Sequence, residues 1–550
     1  MAPNFFVDDK NNIQHRALEQ FPHLAYCLDD DPPWVQQYIL GFQHYLTMLG
    51  TTVLIPILVF RSIGVETLCT MSLQNDLALV VQSALFVSAI NTMLQTNLGS
   101  RLPAVMGNSF YFLSITLSIV NAPSIVDIPD LHEVRDITQN LLEQAMRAIQ
   151  GAFIAGSALT IILGFSGLWG QIVRVISPVV IAPVTAIVGF GLLEHGFPGI
   201  ANCVQIGIPA LLFILLFSQY WRHIHIRYVH VFELFPIIFG VVIVWVCATI
   251  LTVTGAYDHA SALGQLHCRT DQSGLDSHAP WVRISYPLQW GPPTFDAGNA
   301  FGVMSAAFAA LIESTGGFYA LARLTGATPP PISVISRGIG WQGIGLFLNG
   351  IFGTFTGATV APENIGLIGI TRVGSRRVVQ IAAIFMFFFS IFGKFGGILA
   401  AIPQPIVAAI LCVTFGTVAG TGLSMLQFIN LNFIRNLFVV GFSIFLGLSV
   451  PQYFSESTSR AYDFPVHTHV HWFNNILGSP IIITFLVACV LDNTLTWHIS
   501  NKDRGLYYTR KFNWFEDPRS FEFYSLPFGL EEIFPPDSSK IAHEFRDHKS

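Results

Sequence analysis

The sequence predicts an all-α polytopic membrane protein of 14 transmembrane spans, built as a 7+7 inverted repeat. Three observations predict it. Of the 550 residues, 52% are hydrophobic and only 11% charged, against about 25% charged in a soluble domain. Apolar blocks follow one another almost without pause between two polar ends, and ~14 spans of about 20 residues would use that apolar stock. The chain also resembles itself. GFSGLWGQIVRVISPVVIAPVTAIVGFGL around Pro178 and GKFGGILAAIPQPIVAAILCVTFGTV around Pro405 share a Gly-rich hinge, a Pro-containing corner and a Gly-bearing helix. Seven is odd, so two halves of seven spans must have opposite topology. The same composition excludes a disordered chain, a coiled coil and a basic nucleic-acid binder. It argues against an ordinary soluble enzyme.

In chain order, residues 1–34 are polar and read as a cytosolic tail. The opening MAPNFFVDDKNNIQ lacks the basic flank and apolar core of a cleavable signal, so the first span directs insertion. Spans are expected near 38–60, 78–97, 104–120, 145–165, 169–197, 203–220 and 230–254. A polar loop over 255–299 follows, with Cys268, Trp281 and Trp290. Seven more spans fall near 300–322, 334–353, 358–372, 378–399, 403–425, 431–449 and 479–499. Residues 500–550 form a second charged tail. An even span number puts both tails on one side. Arg101, Arg222, Arg227, Arg323, Arg372, Arg376, Arg377 and Arg435 then share that side, which the positive-inside bias makes cytosolic.

Two spans break the hydrophobic rule at corresponding places in the two halves. The third contains Pro103 and Gly107, the tenth Gly357 and Pro362. These disfavour a continuous helix, and the β-branched run from Thr354 to Val360 suits a short strand. Backbone at membrane depth must find hydrogen bonds inside the protein. Two short antiparallel strands, paired with each other and each leading into a half-helix, meet that demand. The free N–H groups at a half-helix N-terminus suit the carbonyls or anionic edge of a small polar solute.

Ionisable groups gather in the same places. Glu313 lies inside AAFAALIESTGGFYA, Glu363 opens the tenth-span half-helix, and His44 follows Gln43 in the first span. A carboxylate inside a bilayer is expensive unless paired or protonated. Two carboxylates and a histidine therefore suggest a proton or sodium pathway, in line with the use of inverted repeats by secondary transporters. Phe110, in the broken third span, offers a flat ring for stacking on an aromatic solute. The histidine clusters at 223, 225 and 230 and at 467, 469 and 471 read as solvated loop residues, and no metal site is expected. Most cysteines sit in apolar runs as small packing residues. Cys69 and Cys268 share the outer face, where a disulfide between them is geometrically possible.

The run Glu363-Asn364-Ile365-Gly366-Leu367-Ile368-Gly369-Ile370-Thr371-Arg372 resembles the signature of the nucleobase–ascorbate transporter family (nucleobase:cation symporter-2). Gln43-His44 is similar to that family's first-span motif, Glu313 to its acidic eighth-span position, and EFYSLPF in the tail to its plant branch. The resemblance implies a core domain from spans 1–4 and 8–11 (residues 35–165 and 300–400). It implies a gate domain from spans 5–7 and 12–14 (166–256 and 401–499), separated by an extracellular loop over 257–299 and making a homodimer contact. It implies an elevator-like shift of core against gate. Glu313 and Glu363 would hydrogen-bond the N–H groups of a purine such as xanthine, uric acid, adenine or guanine, or of uracil. Phe110 would stack on the ring, and backbone near Gly107 and Asn364 would reach its carbonyls. His44, beside Gln43, would support the carboxylates and the coupling proton. Gly366, Thr371 and Arg372 are matched signature positions.

The expectation is proton-coupled nucleobase symport at the plasma membrane, with sodium as the other coupling ion and no cofactor. Ascorbate-carrying members tend to have Pro where this chain has Glu363, which would also repel an anion. One departure bears on coupling: many microbial members have Asp-Gly in the ninth span, where this chain has Gln342-Gly343, and Gln cannot carry a proton. The alternatives are an ascorbate transporter of the same family, an anion exchanger of similar architecture, a membrane-embedded enzyme using the histidines, and a non-transporting sensor.

Overall fold

A computed structural model of the protein describes residues 24–62, 71–120, 134–191, 196–224, 231–257, 282–392, 403–459, 477–495, 503–506 and 518–526, with single positions at 21, 193, 265 and 268–270. The first half opens with α1 (Trp34–Ser62) and α2 (Met71–Asn97). A three-residue strand β1 (Met106–Asn108), a single 3-10 turn (Phe110–Phe112) and α3 (Leu113–Val120) follow. Then come α4 (Val134–Phe165), α5 (Leu168–Val175), α6 (Pro178–Phe190), α7 (Phe197–Ala201), α8 (Val204–Leu215), α9 (Val231–Leu234) and α10 (Pro236–Val253). The second half comprises α11 (Ala297–Leu324), α12 (Ile332–Phe352), strand β2 (Ala358–Val360), α13 (Pro362–Thr371) and α14 (Arg376–Ile391). It continues with α15 (Gln404–Ser424), α16 (Ile434–Ser459), α17 (Pro480–Thr494) and a tail helix α18 (Pro518–Tyr524).

The protein is a helical polytopic membrane protein. Among the described residues seven helices are long and apolar enough to cross a bilayer, or eight counting one bent pair. That pair is α5 and α6, where a single span over 169–197 was expected. The two cross at 109°. Pro178 causes the corner: the residue before a proline is pushed out of the α region, and Ser177 is extended at ψ 165°. The expected span over 230–254 is likewise interrupted, with Pro236 opening α10 after the non-helical Phe235.

Long helices pair along their lengths: α4 with α12, α2 with α14, α1 with α14, α15 with α6, and α16 with α17. One apolar cluster, including Trp169, Val180, Phe318 and Ile365, joins α5 and α6 to α11 and α13. Trp169 keeps its indole N–H satisfied by donating to Thr315 Oγ1 at 3.0 Å.

At the helix ends near Arg372 and Arg376, both polar tails dock. Tyr26 bridges Val373 in parallel. Asp29 pairs with Arg376 at 3.1 Å and Asp31 with Arg377 at 2.8 Å. Arg337 and Arg376 donate to the carbonyls of Tyr524 and Phe523 in α18.

The disulfide reading is corrected. Cys268 is bonded to Cys203, with Cα atoms 5.6 Å apart, so it is unavailable to Cys69, which lies outside the described residues. Cys203, read as a packing residue, caps α8 where the chain turns back. His225, His230 and the histidines at 467, 469 and 471 also lie outside the described residues.

Candidate functional site

The site is built around β1 and β2, which pair antiparallel with Met106 opposite Val360, Gly107 opposite Thr359 and Asn108 opposite Ala358. All six residues are buried. Three residues each is too little for an independent sheet, so neighbours complete the hydrogen bonding. Thr92 of α2 accepts from the Met106 N–H at 2.9 Å. Ser314 of α11 lies 3.3 Å from the Val360 nitrogen. The Ala361 N–H donates to Val105 O at 2.9 Å. Thr356 braces the far end, accepting from the Ser109 N–H at 3.2 Å and donating to Ser109 O at 3.0 Å.

Both predicted carboxylates stand over this strand pair. Glu363 is at the second position of α13, just after Pro362, and is 1% exposed. Its Oε1 accepts from Thr51 Oγ1 of α1 at 2.7 Å. Glu313, mid-way along α11, is 3% exposed, and its Oε2 lies 3.5 Å from Ser109 Oγ. That is at the outer limit for a hydroxyl hydrogen bond. Glu313 thus reaches the residue that follows β1, and Glu363 faces Gly107 within β1. Gly107 sits between strand and carboxylate: a Cβ there would lie 3.1 Å from Ala361 Cβ and 3.9 Å from Glu363 Oε1. A side chain at position 107 would therefore crowd the space in front of Glu363.

His44 is buried on α1, and its side chain meets Asn364. The Asn364 amide nitrogen is 2.9 Å from His44 O and 3.0 Å from His44 Nδ1. A backbone carbonyl only accepts, so the amide presents its NH2 there. The imidazole accordingly accepts at Nδ1 and carries its hydrogen on Nε2. Asn364 Oδ1 is then a buried acceptor with no hydrogen-bond partner among the described residues. Gln43 donates from Nε2 to Leu234 O at 3.2 Å, tying α1 to α9, and its Oε1 is similarly unpaired. Phe110 opens the 3-10 turn and packs against the Leu411 and Phe415 cluster of α15. The ninth-span Gln342 is buried on α12 and lies 3.4 Å from Ala310 O.

Sequence reasoning missed three hydroxyls at the site: Thr51, Ser109 and Thr359, the last lying against Glu313. Thr51 had a legible signal. It follows His44 by seven residues, two helical turns, and so shares its face.

A family model described as a permease family matches residues 35–456. Nucleobase-ascorbate transporter 2 of Arabidopsis thaliana is 49% identical over 529 residues, covering 95% of this chain and 98% of that protein. The chain belongs to the nucleobase–ascorbate transporter family. Nucleobase-ascorbate transporter 7 of the same plant is also 49% identical, covering 95% of this chain and 96% of its own length. Among solved structures, SLC26A9 aligns with TM-score 0.42 at 11% identity, covering 84% of this chain and 66% of that one. The transmembrane domain of the cyanobacterial bicarbonate transporter BicA aligns with TM-score 0.42 at 13% identity, covering 83% and 96%.

As a member of this transporter family the chain is a membrane transporter and not an enzyme, and its signature residues have physical roles here. Gly366 lets α13 touch α15, since a Cβ would fall 2.2 Å from Thr414 O. Thr371 donates to Leu367 O at 2.9 Å in the last turn of α13. Arg372 ends that helix in the left-handed conformation at φ 57°. Its carbonyl accepts from the N–H groups of Ala25 and Tyr26, and its Nε lies 3.8 Å from Glu233 after α9 begins.

Proposed function

We propose that the protein is a proton-coupled nucleobase symporter of the plasma membrane, working by an elevator-like shift of a core domain against a gate domain. The observation that carries this reading is the pair of buried carboxyl groups, Glu313 and Glu363, both from the second half of the chain, at the place where strands from the two halves pair. Carboxylates accept hydrogen bonds and cannot donate them when ionised. A purine or pyrimidine supplies ring N–H donors on its edge and carbonyl acceptors beside them. Glu363 and Glu313 would take the N–H groups, with backbone near Gly107 and Asn364 reaching the carbonyls. Phe110, wedged between the strand turn and α15, would cover one face of the ring. Anionic ascorbate presents the wrong charge to such a pair. His44 would act through Asn364, which joins the imidazole to the first turn of α13. A Gln at 342 leaves the proton to the carboxyl groups.

The fourteen-span count is the reading in which α13, α14 and the shorter apolar helices each belong to a span, and the two halves repeat with inverted topology. The corner at Pro178 and the two strand–half-helix units support it. Spans 1–4 and 8–11 would form the core, spans 5–7 and 12–14 the gate, and two gates a homodimer. Cys203–Cys268 supports an outward placement of those loops, because disulfides persist in oxidising compartments. Both termini would then be cytosolic.

Radiolabelled uptake in a yeast lacking its own nucleobase transport tests the reading. Xanthine or uracil uptake should be abolished by a protonophore and by Glu363→Ala and Glu313→Ala, with surface expression retained. Cold ascorbate should not compete. Wild-type rates in both alanine variants would remove the mechanism. Competition by ascorbate would favour the second reading, an ascorbate transporter, which the names of the relatives also accommodate.

A further inference from the structure

We propose that Thr51 is a positioning residue for the substrate-binding carboxylate: its hydroxyl holds one oxygen of Glu363 so that the other faces the solute. The inference rests on the reading of Glu363 as a substrate contact. A threonine inside a helix ordinarily turns its hydroxyl back onto a carbonyl three or four residues earlier. Two neighbours in α1 do so. Thr47 donates to Gln43 O at 2.9 Å and Thr52 to Met48 O at 3.0 Å. Thr51 also lies 2.9 Å from Met48 O, but its oxygen is 2.7 Å from Glu363 Oε1, 312 residues away in the chain.

One hydroxyl carries one hydrogen. Thr52 already supplies Met48 O, so the Thr51 hydrogen is available to Glu363 whenever that carboxyl is an acceptor. When Glu363 itself carries a hydrogen, the roles reverse: Glu363 donates to Thr51 Oγ1, and Thr51 turns its own hydrogen to Met48 O. The same oxygen serves both states without placing donor against donor. Both residues are 1% exposed, so no solvent substitutes for the bond. No hydroxyl holds Glu313 as closely: its Ser109 contact is 3.5 Å long, and Thr359 beside it makes no side-chain hydrogen bond among the described residues. Of the two carboxyl groups, Glu363 is held in place and Glu313 is left to follow the solute.

The test compares Thr51→Val, which keeps the shape and deletes the hydroxyl, with Thr51→Ser, which keeps the hydroxyl. Thr52→Val is the control on the same helix turn. Infrared spectra of the purified full-length protein should contain a carboxyl stretching band that disappears in Glu363→Gln. That band should move in Thr51→Val and stay in place in Thr51→Ser and Thr52→Val. In uptake assays Thr51→Val should raise KM on the order of 10-fold, as expected for losing a hydrogen bond to a charged group, with the maximal rate nearly unchanged. Thr51→Ser should restore the wild-type KM. An unmoved band in Thr51→Val, or a Thr51→Ser variant as impaired as Thr51→Val, overturns the proposal. If wild type takes up ascorbate and no nucleobase while the band still moves, the nucleobase reading fails. The KM comparison on ascorbate then decides whether Thr51 positions Glu363 for that solute.

Discussion

At the residue scale, the signature sequence is a set of packing constraints as well as the run that holds the proposed solute contacts. Gly366 and Gly369 lie on α13 one turn apart, and both meet α15. At Gly366 an added Cβ would fall 2.2 Å from Thr414 O and 2.6 Å from Thr414 C, which are backbone atoms that cannot rotate away. At Gly369 it would meet Thr417 Cγ2 at 2.7 Å, the end of a side chain with its own torsion. Overpacking a tight contact costs about 1–3 kcal/mol. Gly366→Ala should sit at the upper end, lowering the thermal midpoint of the purified protein and abolishing uptake. Gly369→Ala should be milder in both measurements. Equal effects would show that the α13–α15 contact yields more than its geometry implies. The same reasoning explains why Glu363 is sensitive to α13: moving the half-helix would pull its Oε1 away from Thr51.

At the element scale, what the sequence made legible depended on how local the cause was. Pro103, Gly107, Gly357 and Pro362 announced two interrupted spans, and the interruptions lie where β1 and β2 pair. Pro178 announced a corner, and α5 and α6 meet there at 109°. Such signals act through the backbone of the residue itself or its neighbour. The register of the strands and their brace by Thr356 depend on residues some 250 positions apart, and nothing local encodes them. The disulfide failed for the same reason. Cys203 sits in an apolar run, GIANCVQIGIP, that reads as packing, and its partner is 65 residues away. Glu313, Glu363 and Gln43-His44 were legible because charge and amide groups are costly at membrane depth. The hydroxyls Ser109 and Thr359 cost little there and so carry little signal, and Thr51 was legible only through its two-turn spacing from His44. The Asn364–His44 bond was also hidden, since an asparagine beside a glutamate reads as part of the motif rather than as a partner for another helix.

At the scale of the whole molecule, the tails tie separate helix groups together. Residues 503–506 are pinned beside α16 and α17. Arg504 reaches Asp492 through Nε at 3.1 Å and Nη2 at 2.5 Å, and Asn436 donates to Asp503 O at 2.9 Å. Asp492 is fully buried and also takes Ser177 Oγ at 2.6 Å and Arg435 Nη1 at 2.7 Å. Asp492→Ala would strand two guanidinium groups, and breaking a buried pair costs about 3–5 kcal/mol. The thermal midpoint should fall well below that of Arg504→Ala, which leaves Asp492 paired with Arg435. A little farther along, Ser520 and Tyr524 of α18 lock onto Thr328, the tyrosine hydroxyl donating to its carbonyl. In the proposed elevator these two anchors belong to gate and core, so one tail contacts both moving parts on one side of the membrane. That side is testable through Cys27, an exposed free thiol in the docked N-terminal segment. Although the residue is exposed, partial burial of its thiol first, and then the charge of Asp30 and its hydrogen bond, hold the group above its usual pKa. The reactive thiolate is therefore scarce at neutral pH and grows as pH rises, so labelling by a membrane-impermeant maleimide should accelerate between pH 7 and pH 8.5. In intact cells Cys27 should be protected at either pH, and opening the cells should expose it. Labelling of Cys27 in intact cells would invert the proposed orientation and take the cytosolic tails with it.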